Sequence, residues 1–287
     1  MTLEVLNLIY FDTPLKEEAF HAVFKNLGAK GSHGPSASDN PYAGQDHYRQ
    51  VTITNGIQQW TVPYTGYYII EATGAAGGCD HDRYPCGGKG AKMIGEFRLN
   101  MSEVIQVLVG QEGGSNINAW SSGGGGGTFV VRGNSTPLII AGGGGGGGLR
   151  DKNRHGKCNA NTGTTGNAGY ESWPGGSNGT GAYENATEYS DVGGDGGGFY
   201  SSGAGNGGRD GKGFLKGGSG GQISPNSQKA GFGGFGGGGA RSRLGGGGGG
   251  GYSGGNGGKY SCGGGGGSYN VGRNQQNNCC DWTSSGH

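Results

Sequence analysis

No stretch of eighteen apolar residues occurs in the 287-residue sequence, so no membrane-spanning helix is expected. An excess of one charge sign is also missing. Lys and Arg number 21 against 20 Asp and Glu, and a net charge of +1 gives no field able to gather nucleic acid or an anionic membrane. Met1 to Phe20 has neither a basic start nor a small-residue cleavage site, so no signal peptide is expected there. Secretion would then need a targeting signal outside this sequence, and the ending at Ser285-Gly286-His287 reads as that of a fragment of a longer chain. Proline is scarce at 8 residues, and the 77 glycines do not recur strictly every third position, which excludes a collagen triple helix.

Catalytic signatures are absent too. GxGxxG matches are frequent only because glycine is frequent, and none follows a strand and opens a helix. Gly207 to Gly213 (GGRDGKG) and Gly87-Gly88-Lys89-Gly90 have glycine where a phosphate loop needs Ser or Thr for magnesium. No His-Arg-Asp kinase loop is present. The six histidines are scattered, and Asp80-His81-Asp82, the only acidic cluster near one, reads as a solvated loop rather than a metal site. No cofactor and no metal are expected. Arg-Gly-Gly repeats, which mark glycine-rich RNA-binding tails, do not occur. The chain reads as a recognition module rather than an enzyme.

The six cysteines, Cys79, Cys86, Cys158, Cys262, Cys279 and Cys280, form no CxxC pair, and their even number favours disulfides. Cys79 and Cys86 bracket a short loop containing Pro85, which suits a local bridge. The vicinal Cys279 and Cys280 are expected to pair separately with distant partners, closing two longer loops together with Cys158 and Cys262. Four Asn-x-Ser/Thr sequons begin at Asn100, Asn134, Asn178 and Asn185, about as many as chance would give in so Asn-rich a chain.

What is present divides sharply by composition. Thr13-Pro14 offers a helix start running to Gly28, although Phe20 and Phe24 fit a strand equally. From Val51 the period becomes that of strands: 51–54, 57–62, 66–72, 92–99, 104–109, 128–131 and 138–140, separated by turn residues such as Asn55-Gly56. Seven short strands predict a mostly β sandwich or jelly roll. Glycine runs then dominate, at 123–127, 142–148, 236–239, 245–251 and 263–267. A flexible linker would explain glycine alone. Pure runs beside Gly-Gly-X stretches, such as Gly233-Gly234-Phe235 and Gly254 to Lys259, instead fit a bundle of extended polyproline-II-like segments bonded to one another, glycine inside and one side chain per turn on the rim. The expected organisation is an N-terminal segment over 1–24, a β-sandwich over 25–141, an inserted bundle over 142–268, and a return to the sandwich over 269–287.

Gly56 to Pro63, Gly66-Tyr67-Tyr68, Gly74 to Gly78, Val107 to Gln111, Leu138 to Ala141 and the following glycine runs form an ordered block of motifs. Together they resemble the glycine-rich ligand-binding domain of the anaplastic lymphoma kinase and leukocyte tyrosine kinase receptors. The resemblance covers roughly residues 24–287. It implies a tumour-necrosis-factor-like sandwich with packed polyglycine helices, outside the cell, binding a secreted cytokine-like protein, with ligand-induced dimerisation of the module. The tyrosine after a long glycine run contributes to the ligand surface in that family, and the matching position is Tyr252. Its expected neighbours on the ligand surface are Arg241, Arg243 and Tyr260, read from the mixture of Arg and aromatic residues among the glycines. The family's acidic ligand contacts are not matched, since 111–120 carries only Glu112. An extracellular structural or adhesive protein without a kinase is the alternative.

Overall fold

The computed structural model describes residues 8–10, 20–36, 42–79, 87–115, 120–148, 156–169, 172–183, 191–204, 207–223 and 231–280. Their eleven strands are β1 (Leu8–Tyr10), β2 (His21–Ala22), β3 (Val51–Thr54), β4 (Ile57–Thr61), β5 (Gly66–Thr73), β6 (Ala91–Leu99), β7 (Val104–Leu108), β8 (Thr128–Arg132), β9 (Pro137–Ala141), β10 (Tyr269–Asn270) and β11 (Arg273–Cys279). Helix among the described residues is limited to three-residue 3-10 turns at 156–158, 207–209 and 214–216. The protein is mostly β, with every strand pair antiparallel. One sheet has the order β11-β6-β5-β1-β2 and the other β10-β9-β8-β7-β4-β3.

Alternation explains how the two sheets meet. In β6, Ala91, Met93, Phe97 and Leu99 are buried between more exposed neighbours, and in β5 Tyr68, Ile70 and Ala72 are. These side chains share a core with Trp60, Ile105, Val107, Val130 and Ile139 of the other sheet. Each large apolar side chain buried this way stabilises by about 1.5–3 kcal/mol. Phe20 and Phe24 join the same core around the short strand β2, so the described part of the helix expected over 13–28 is instead a short strand and irregular chain ending in a turn at 27–28. Tertiary burial of two aromatic rings outweighs the weak helix-start signal.

In β8 and β9 the alternation disappears because both faces are covered. Phe129, Val131 and Ile140 point away from the shared core and meet Phe199, Phe214 and Phe235 in a second apolar cluster. Those three phenylalanines come from the glycine-rich region, which they fasten to the outer face of the second sheet.

The glycine runs form no β-strands and no α- or 3-10 helices, yet their backbone groups are bonded in a regular order. Along Gly245–Gly251, Gly246 and Gly249 donate to the carbonyls of Ser261 and Gly264, Gly247 and Gly250 to Ser122 and Gly125, and Gly248 and Gly251 to Gly194 and Gly197. Every third N–H therefore returns to the same neighbouring segment, three residues further on. Gly263–Gly267 has the same period against a neighbour running the opposite way, with Gly263 and Gly266 donating to Gly146 and Gly143. The close approach leaves no room for side chains: a Cβ on any residue from Gly245 to Gly251 would strike a neighbouring backbone. Segments 74–78, 87–90, 110–114 and 123–127, from loops of both sheets, take part alongside residues 142–268. Strands β9 and β10, which flank 142–268, are antiparallel partners, so this long excursion leaves and rejoins the sheet at one place. Of the Gly-Gly-X side chains expected on the rim, Phe235 is buried in the second cluster and Asn256 beside Ser172, while Lys259 is only partly buried.

Cys158 is bonded to Cys262, a sequence separation of 104. Cys279 is bonded to Cys280, not to a distant cysteine as expected. The reason is positional: β11 carries Cys279 opposite Ala91 on the edge of the first sheet, while Cys158 and Cys262 already meet within the glycine region. Cys79 is also disulfide-bonded. Cys86, and with it the expected local bridge, lies outside the described residues.

Candidate functional site

Tyr252 follows Gly245–Gly251 at the end that adjoins the sheets, where its N–H donates to the Gly267 carbonyl 2.8 Å away. Glycine stops there because a side chain has somewhere to go. The Tyr252 ring stacks on Tyr269 of β10, with centroids 4.6 Å apart, and lies 6.4 Å from the buried Phe199. It is partly buried against the second apolar cluster. Burial, then the neighbouring Tyr200 and Tyr269, raise its pKa above the ordinary tyrosine value, and its hydroxyl bonds to Tyr200. Tyr200 is 49 % exposed and packs edge-on against Phe199. Gly179 lies beneath the rings of Tyr200 and Tyr252. Tyr200, Tyr252 and Tyr269 therefore present an aromatic face whose backbone is fixed from below.

Arg241, Arg243 and Tyr260 lie at the other end of the glycine run. Six steps of extended chain, at about 3.1 Å each, put roughly 19 Å between Gly245 and Gly251. Ser242 and Ser261, which flank these residues, bond to Gly245 and Gly246 at the far end. Arg241 is half-buried over Gly231 and donates through Nη1 to the Ser242 carbonyl at 2.9 Å. Burial and the nearby Arg209 lower its pKa. Arg243 is exposed. The Tyr260 hydroxyl donates to Asp191 Oδ2 at 3.0 Å, and Lys259 Nζ stands 6.0 Å from its ring. The structure thus separates Tyr252 from the three residues grouped with it by sequence.

Of the other aromatic residues interleaved with the later glycines, Phe235 is buried in the second cluster and Phe232 is half-buried, while Trp282 lies outside the described residues. Tyr200 was missed, although a signal existed. It follows Gly196-Gly197-Gly198-Phe199, as Tyr252 follows its own run and Tyr269 follows Gly263–Gly267. Among the described residues no three His, Cys, Asp or Glu side chains gather closely enough to hold a metal ion, and Asp80-His81-Asp82 lies outside them. No helix among them is long and apolar enough to cross a membrane.

A second polar feature sits inside the core near β2. His47 is fully buried between the rings of Phe24 and Tyr42, at 4.8 and 4.2 Å, and neither ring nitrogen has a hydrogen-bond partner. Desolvation lowers its pKa to about 4, against a smaller opposing effect of Asp46. The Tyr42 hydroxyl beside it donates to Gln58 Oε1 at 2.5 Å, and burial pushes its pKa up to about 12.

The chain is 36% identical over 96 residues to the leukocyte tyrosine kinase receptor of Mus musculus. The match takes in 32% of this chain and 11% of the receptor. No family model matches the chain.

Proposed function

We propose that this chain is the extracellular ligand-binding module of a receptor tyrosine kinase-like protein. In this reading the two sheets form a tumour-necrosis-factor-like jelly roll and the glycine runs are polyproline-II-like helices packed as a bundle. The module itself performs no catalysis. It recognises a secreted, cytokine-like protein through the Tyr200–Tyr252–Tyr269 face, and ligand binding brings two receptors together. The observation that carries this reading is the aromatic stack on a backbone bonded every third residue to fixed neighbours. Side chains held so lose little entropy on binding, and tyrosine is a preferred anchor of protein interfaces. The partial match to a receptor tyrosine kinase supports the receptor context, and bonded cysteines are compatible with an oxidising, extracellular one.

The full-length transcript tests it. A membrane span followed by a Gly-rich loop, a Val-Ala-Ile-Lys-like strand and a His-Arg-Asp loop is the expected outcome. A transcript that ends without them would overturn the receptor reading in favour of an extracellular adhesive protein.

A further inference from the structure

We infer that Asn100 and Asn178 are N-glycosylation sites and that Asn134, although it heads a sequon, is not one. The inference rests on the extracellular reading above. Three of the four sequons fall on described residues, and the structure distinguishes them.

Asn100 opens the turn from β6 to β7 and is exposed. Its backbone is pinned: its N–H donates to Glu103 Oε2 at 3.1 Å and its carbonyl accepts from the Glu103 N–H at 3.1 Å. Its side-chain oxygen accepts from Arg98 Nη1 at 3.2 Å, which leaves the amide nitrogen toward solvent. Ser102, the sequon hydroxyl, is exposed as well. Nearby lie Met101, 63 % exposed, and Tyr64, whose neighbour Thr65 accepts the Met101 N–H at 2.8 Å. A glycan on Asn100 would cover this apolar end of the sheets.

Asn178 occupies the tip of a turn closed by the Thr180 N–H and hydroxyl, both donating to the Ser177 carbonyl at 3.0 and 2.8 Å. It adopts the left-handed conformation, φ 51°, and is exposed with no hydrogen bond from its side chain. Gly179 is locked by Ser253 Oγ and by the Tyr200 N–H, so the turn is rigid while the asparagine amide is free. A glycan here would border the Tyr200–Tyr252 face and restrict the side from which a protein approaches it.

Asn134 sits at the β8–β9 hairpin, also exposed. Its sequon is followed at once by Pro137, the first residue of β9. The Asn134 side-chain oxygen accepts the Thr136 N–H at 3.2 Å, and Pro137, with a fixed φ and no N–H, disfavours helical backbone at Thr136, so the sequon is held in this turn and cannot rearrange into an acceptor site. In the transfer itself the asparagine nitrogen attacks C1 of a lipid-diphosphate-linked oligosaccharide. A C–N bond forms, the C1–O bond breaks, the lipid diphosphate leaves, and one amide proton is given up.

The test is to secrete the full chain from eukaryotic cells behind an added signal peptide, then map peptides after enzymatic removal of N-glycans, which converts each occupied Asn to Asp. Asn100 and Asn178 are expected to be mostly converted and Asn134 unconverted. Asn100→Gln and Asn178→Gln should each remove one glycan step in gel mobility, Asn134→Gln none, and Pro137→Ala should make Asn134 an acceptor. Recovery of the Cys158–Cys262 peptide marks passage through the oxidising compartment. With that bridge present, bare Asn100 and Asn178 or an occupied Asn134 would overturn the inference. The transcript result, which decides the receptor reading, would be untouched.

Discussion

At the scale of single residues, Tyr252 and Tyr200 separate two roles that the sequence alone runs together. Tyr252 is stacked and partly buried, so Tyr252→Ala removes packing as well as a surface anchor. It should lower stability by about 1–3 kcal/mol as well as weakening binding. Tyr200 is far more exposed, and Tyr200→Ala should cost less than about 1 kcal/mol of stability while weakening a purified protein partner by about 1–3 kcal/mol. Thermal melts beside binding isotherms check both, and unchanged binding in the Tyr200 variant would remove this face from consideration. His47 gives a prediction in pH. Its folded-state pKa, about 4, lies below the ordinary value of 6.5, so the unfolded chain takes up the proton first on acidification. The stability due to neutral His47 is complete above pH 6.5 and is lost as pH falls toward 4. Denaturant titrations should show about 2 kcal/mol less stability at pH 5 than at pH 7.5, a difference that His47→Phe largely abolishes. An equal drop in the variant would assign the effect elsewhere.

Among the elements, the glycine runs show what a pattern can and cannot disclose. Positions 245–251 are glycine because a Cβ at each would meet another backbone, not because the conformation is forbidden to other residues. Gly156 has nothing within 4 Å of its would-be Cβ and no positive φ. Gly248→Ala should therefore destabilise by about 3 kcal/mol or more, while Gly156→Ala stays within about 0.5 kcal/mol. Equal melting temperatures for the two would refute the packed arrangement. The seven strands from β3 to β9 were legible to within a residue or two, because alternation and turn residues speak directly. Strand β11 was not, since RNQQNNC carries no apolar alternation and is mostly exposed at a sheet edge. Of the proposed aromatic face only Tyr252 was named from the sequence, through the family resemblance, and the structure adds the local reason that side-chain space reopens where its glycine run ends. Arg241, Arg243 and Tyr260 are close to it in sequence, but extended chain carries them to the far end. Proximity in sequence implies proximity in space only where the chain turns back.

For the whole molecule, the question is whether the sheets and the glycine region unfold as one body. Three connections argue that they do. Loops of both sheets contribute segments 74–78, 87–90, 110–114 and 123–127 to the glycine packing, so those hydrogen bonds tie the glycine region to the strands that carry the loops. Strands β9 and β10 pair across the base of the 142–268 excursion. Phe199, Phe214 and Phe235 fill the outer face of β7–β9, with Phe214 stacked 5.1 Å from Phe129 and 5.3 Å from Phe199. Phe214→Ala should cost about 3–5 kcal/mol. Because the interface is shared, that loss should lower the melting of the sheets and of the glycine backbone together. The Cys158–Cys262 bridge closes a loop of about a hundred residues, so replacing both cysteines by Ser should cost about 4 kcal/mol, again across the whole protein. Amide hydrogen exchange reads the two regions separately: Gly245–Gly251 and β6 should be protected in the wild type and lose protection by the same factor in either variant. Should the glycine amides open while β6 stays protected, the bundle is an independent unit resting on the sheets, and the rigidity assigned to the Tyr252 face is lost with it.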